Sequence, residues 1–160
     1  VNGSKATVNR VIRDCDYTFS SLDGLTIHDI ANLVKQWISC LSIPLIPDEY
    51  SKGYIEVCED KKVHEFVMTL PESNRTTLLF IVGFLQHCAS AENVTRMTAK
   101  NLAICFSPNL YRMDVTDCVF VQRLSQQSAS FLETLILTED TSQYYPIDPS
   151  CLQPIEDNEE

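Results

Sequence analysis

The sequence predicts an all-α fold, a helical bundle with short loops, and three observations carry that prediction. Residues 26–41 repeat their apolar side chains with helical spacing. A second segment, residues 72–91, is apolar around most of its circumference. No stretch alternates apolar and polar residues in the period of two that a half-buried strand needs.

The clearest element runs from Thr26 to Leu41. Thr26 suits an N-cap with Asp29 three residues on, close to a capping box. Ile30, Leu33, Val34, Trp37, Ile38 and Leu41 then fall on one stripe of a 3.6-residue helix. Ser42 and Pro44 end it. Lys35 and Ser39 are four residues apart, so they share a flank away from that stripe. Pro47 and Asp48 suit the first turn of a following helix that extends to about Asp60. A short segment, Lys62 to Thr69, ends at Leu70-Pro71. From Glu72 to about Ala91, Leu78, Leu79, Ile81, Val82, Phe84 and Leu85 surround the axis, which marks a central helix. Thr98 caps a helix over Ala99 to Phe106, broken by Ser107-Pro108. The last helix, about Val119 to Leu137, buries Phe120, Leu124, Phe131, Leu132 and Leu135.

At 160 residues the chain fits one domain with a substantial core. Its formal charge of −10 is uneven. Residues 139–160 hold seven acidic side chains and no Lys or Arg, whereas residues 1–138 hold 15 acidic and 12 basic ones. The expected division is therefore a helical domain over 1–138 and an acidic, flexible tail over 139–160. Tyr144-Tyr145-Pro146 in that tail has the form of a short linear motif, although a plain solvated tail is the simpler reading. No cationic stripe exists to neutralise phosphates, so nucleic acid is not an expected partner. No apolar run reaches the length of a membrane span, and direct membrane insertion is not expected.

Seven cysteines in no C-x-x-C arrangement indicate reduced thiols in a cytoplasmic protein. Cys105, between Ile104 and Phe106, is expected to serve as a small core group. No metal site is expected. The three histidines lie far apart, and no phosphate-cradling or hydrolase motif is present. Taken alone, the residues describe a helical interaction module needing no cofactor, with a monomer as the default.

Three segments extend this reading. ANLVKQWISCLSIPLIP at 31–47 is similar to the pattern L-L-K-x-[FY]-L-R-E-L-P-E-P-L-I-P. LPESNRTTLLF at 70–80 is similar to L-P-x-x-N-x-x-x-L-x-x-L. MTAKNLAICFSPNL at 97–110 nearly reproduces M-[TN]-x-x-N-L-A-[IV]-V-F-[GS]-P-N-L. In that order and spacing they resemble the RhoGAP family, the GTPase-activating domains of Rho-type proteins.

The resemblance implies an all-helical domain whose partner is a GTP-bound Rho-, Rac- or Cdc42-type GTPase. It places Lys35, Ser39, Pro108 and Asn109 on the GTPase-facing surface, with Ser39 where the family carries an arginine. Asn101 and Asn74 are expected to satisfy local backbone groups. Val1-Asn2-Gly3 matches the residues that follow the family's catalytic arginine. That arginine is expected immediately before Val1, so no catalytic residue is assigned within the chain. A non-catalytic module that binds Rho-type GTPases without activating them is the alternative, and a helical scaffold with no GTPase partner a third reading.

Overall fold

A computed structural model describes residues 27–50, 62–112 and 118–146, and every regular element in them is helical. α1 spans Ile27–Cys40, α2 Val63–Thr69, α3 Glu72–Ser90, α4 Glu92–Thr95, α5 Ala99–Phe106 and α6 Cys118–Thr138. Two 3-10 turns, Asp48–Tyr50 and Ser107–Asn109, complete the set. The all-α expectation holds. The helix expected after Pro47 shows only its opening 3-10 turn here; its continuation, the Thr26 cap and the Phe120 side chain lie outside the described residues.

α5 shows how local sequence sets both ends of an element. The Thr98 side chain accepts a hydrogen bond from the Asn101 amide at 3.1 Å, satisfying one of the helix's orphan donors. Ala99, Leu102, Ala103 and Phe106 are buried at i, i+3, i+4 and i+7. That register turns Ile104 and Cys105 outward, and both are exposed. The expected core role of Cys105 is thus corrected: three of its near neighbours had already taken the buried face. Among the described residues Cys40, Cys88 and Cys105 are free thiols, and burial pushes the Cys88 thiol up from its ordinary pKa.

The core forms where α5 and α3 meet α6. α3 contributes Leu78, Leu79, Ile81, Val82 and Leu85, while α6 contributes Leu124, Phe131, Leu132, Leu135 and Ile136. Phe66 of α2 meets Phe131 edge to face, with ring centroids 5.9 Å apart. Ser128 is fully buried on α6, and its hydroxyl donates to the Leu124 carbonyl at 2.7 Å. No buried hydroxyl is therefore left without a partner at that point.

α1 joins this core through a narrower line than its apolar stripe suggests. Ile38 is fully buried and Val34 and Leu41 pack partly against the core, but Trp37 is 51% exposed. Trp37 stands about 100° around the helix from Ile38, at the edge of the stripe. Lys35 and Ser39 lie on the other flank of Ile38, as their spacing predicts.

After α6 the chain turns back instead of leaving the domain at once. Glu139 to Pro146, assigned by composition to the tail, lie against α3. The amides of Tyr144 and Tyr145 both donate to the Thr141 carbonyl at 2.9 Å. Gln86 donates to the carbonyls of Ile136 and Glu139 and accepts from the Thr141 hydroxyl. Hydrogen bonds from the Ser142 hydroxyl and amide hold the Asp140 carboxyl below its ordinary pKa. The Tyr145 ring packs edge-on to Phe80 and Phe84. The remaining tail residues lie outside the described set.

Gly83 explains how this segment fits so closely. A Cβ there would lie 2.4 Å from Tyr145 Cβ and 2.9 Å from Thr141 Oγ1, inside any real contact distance. Gly83→Ala is expected to destabilise the protein by about 1 to 3 kcal/mol through overpacking. It should also release residues 139–146, seen as faster proteolysis near Tyr145 together with a lower melting temperature. An alanine variant that melts and is cleaved like the parent would show that the segment does not rest on Gly83.

Candidate partner-binding site

The C-terminus of α1 and the turn after α5 meet through two anchored loops. Leu45, Ile46 and Pro47 are buried, which fixes the chain leaving α1 against the core. The Ile46 amide donates to the Leu110 carbonyl at 2.8 Å, and Leu110 is itself fully buried. Asn74, at the start of α3, donates through its side-chain amide to the carbonyls of Pro44 (2.9 Å) and Leu45 (3.3 Å). Asn74 does satisfy backbone groups, but remote ones, so it clamps this loop. Asn101 acts locally, donating to the Arg96 carbonyl at 3.3 Å.

The Ser107–Asn109 turn ends α5 with Pro108 at its start, where a missing N–H costs nothing. Pro108 is exposed and Ser107 buried. Asn109 donates its side-chain amide to the carbonyls of Phe106 (3.2 Å) and Cys105 (3.4 Å), two groups that the helix leaves unpaired at its end. Its other side-chain atom, Oδ1, accepts a hydrogen bond from the Ser39 hydroxyl at 2.7 Å. Ser39 and Asn109 are thus joined directly, across 70 residues of sequence. Lys35 is half-buried one turn earlier on α1 and forms no ion pair among the described residues.

Arg112 completes the arrangement, and sequence reasoning missed it. Its guanidinium donates through Nη2 to the carbonyls of Ser39 (2.8 Å) and Leu41, and through Nη1 to that of Ser42 at 3.5 Å. A cation here also complements the negative end of the α1 dipole. Arg112 follows the third motif by two residues in a stretch without periodicity, so only the three-dimensional contact with α1 reveals it.

The result is an exposed surface of a lysine, an arginine, a hydroxyl and a fixed amide. It offers hydrogen-bond donors and positive charge but no nucleophile–base pair. Among the described residues no cluster of His, Cys, Asp and Glu could hold a metal ion, and no helix is long and apolar enough to cross a membrane. Helices and their terminal turns alone position these groups.

The RhoGAP domain pattern matches residues 1–115. The chain is 32% identical over 124 residues to GTPase activating protein homolog 4 of Dictyostelium discoideum, covering 74% of this chain and 13% of that protein. It is 25% identical over 118 residues to Rho GTPase-activating protein 7 of Rattus norvegicus, covering 69% of this chain and 11% of that one. The chain therefore spans little more than a tenth of the length of these relatives. Its fold resembles the crystal structure of the BH domain from Graf, the GTPase regulator associated with focal adhesion kinase. That likeness has a TM-score of 0.75 at 21% identity and covers 93% of this chain and 83% of the other. The chain belongs to the RhoGAP family.

Proposed function

We propose that this chain is the GTPase-engaging part of a Rho-type GTPase-activating protein, acting on the GTP-bound form of a Rho-, Rac- or Cdc42-type GTPase. The direct Ser39–Asn109 hydrogen bond carries this reading, because it unites two segments that the family resemblance assigns to one partner-facing surface. Lys35 and Pro108 extend that surface. The GTPase itself holds nucleotide, magnesium and the attacking water. The activator adds a guanidinium that stabilises charge developing on the transferring phosphoryl group, and that group is assigned to an arginine immediately before Val1. The domain acts as a monomer in the cytoplasm, a compartment where thiols such as those of Cys40, Cys88 and Cys105 stay reduced.

Charge reversal tests the surface. Lys35→Glu is expected to weaken binding to a Rho-type GTPase loaded with a non-hydrolysable GTP analogue by roughly thirtyfold or more. The melting temperature should stay close to that of the parent, since Lys35 has no ion pair to lose among the described residues. Undiminished binding by the variant would remove Lys35 from the interface.

One observation favours the second reading, a module that binds without activating. Ser39 replaces a long cation with a short hydroxyl, and that hydroxyl already occupies Asn109 Oδ1. Charge and hydrogen-bonding reach are both lower at this position than an arginine would give. Single-turnover hydrolysis by the GTPase with and without a chain that carries the upstream arginine separates the two: acceleration of about tenfold or more excludes a pure binder.

A further inference from the structure

The two cations beside the Ser39–Asn109 pair stand out on a protein with 22 acidic residues and a net charge of −10. Among the described residues neither Lys35 nor Arg112 has a carboxylate partner. Arg112 is exposed, and three carbonyls at the end of α1 engage three of its five N–H donors. Among the described residues two donors and the full charge remain. The guanidinium rests on the Ser39 carbonyl, so its charge sits where a long basic side chain at position 39 would begin. Lys35 lies one helical turn away on the same flank. A local positive pair attracts an anionic group to this point.

We propose that Arg112 is a partner-facing cation as well as a helix cap, receiving a carboxylate of the GTPase beside Ser39 and Asn109. This rests on the GTPase reading above. It adds a specificity-determining residue outside the three motifs, and it supplies at Ser39 a charge that the α1 sequence itself lacks there. The competing account is that Arg112 only caps α1, as basic side chains often do near helix C-termini.

The two accounts predict different readouts. Binding of the 160-residue chain is measured to Rho-, Rac- and Cdc42-type GTPases, each loaded with a non-hydrolysable GTP analogue, over a series of salt concentrations. Arg112→Ala, Ser39→Arg and the double variant are compared with the parent, each with a thermal melt. Arg112→Ala is expected to weaken binding by about tenfold or more and to flatten its salt dependence. The double variant should regain most of that affinity without regaining the lost melting temperature. Its Ser39→Arg change returns the charge to this point but leaves the carbonyls of Leu41 and Ser42 uncapped.

Arg112→Ala that lowers the melting temperature while leaving affinity and salt dependence unchanged overturns the inference. A double variant as weak as Arg112→Ala does so too, since the loss then follows from displacement of the helix end. Failure of the parent chain to bind any of the three GTPases overturns the GTPase reading and this inference with it. Binding by the parent that Arg112→Ala leaves intact overturns this inference alone.

Discussion

A chain extended by an arginine directly before Val1 is expected to accelerate GTP hydrolysis on a bound Rho-type GTPase about 10³- to 10⁵-fold beyond the 160-residue chain. The difference corresponds to ~4 to 7 kcal/mol of transition-state stabilisation. Its source is one guanidinium placed in a water-excluded site, where developing negative charge is otherwise unmatched. Single-turnover phosphate release at saturating activator measures it, because saturation removes differences in affinity. Lysine in the same place should recover only a small part, since an ammonium cannot present two fixed donors in one plane. Ser39 sets a second expectation for the same assay. The extended Ser39 protein should fall short of the extended Ser39→Arg protein, and equal rates would show that the short hydroxyl is sufficient. If the arginine-bearing chain accelerates hydrolysis by the GTPase no more than the shorter one, the activating role is lost and a binding role remains.

Phe131→Ala is expected to remove about 3 to 5 kcal/mol of stability, the range for deleting a buried aromatic side chain. Phe131 is 1% exposed, sits between the buried leucines of α6 and the Phe66 ring, and has little freedom to be replaced by collapse of its neighbours. Against a typical domain stability of about 5 to 15 kcal/mol, the loss brings part of the population to unfolding at physiological temperature. Urea titration gives the change directly, with the slope of the transition as a check that two-state behaviour survives. Phe131→Leu should lose less, because it keeps part of the apolar volume. An unshifted midpoint for Phe131→Ala would mean that α6 does not close the core through this ring.

The parts of the fold legible in the sequence are those decided within a few residues. Thr98 and the spacing from Ala99 to Phe106 specify α5 completely, cap included, and Leu70-Pro71 marks the start of α3. The misreadings arise where a distant element decides. Trp37 belongs to the apolar stripe of α1 by periodicity, yet the neighbours of α1 cover only the line through Ile38. Cys105 has apolar neighbours in sequence, but the register of α5 gives the buried face to others. Gly83 lies within the apolar helix that the sequence predicts, but only Tyr145 and Thr141 packed against it show why no side chain fits there. The acidic composition after Thr138 conceals Thr141 and Tyr145, which pack on α3 despite the charges around them.

The site divides in the same way. Resemblance points to Lys35, Ser39, Pro108 and Asn109 one at a time, but spacing along the chain contains no statement that Ser39 touches Asn109. Arg112 escapes both routes. Its role depends on where α1 ends in space, and its immediate sequence neighbours, Tyr111 and Met113, carry no pattern that points toward α1.

The bond between Ser39 and Asn109 also has a consequence for how the protein is made. Synthesis proceeds from the N-terminus at roughly 5 to 20 residues per second, so about 4 to 14 seconds separate the emergence of Ser39 from that of Asn109. Through that interval Lys35 is already exposed on the ribosome while the amide, the turn and Arg112 do not yet exist. A partner that requires all of them cannot be captured by an unfinished chain. Recognition that uses all of them is thereby withheld until synthesis has passed Arg112, and the timing follows from topology alone.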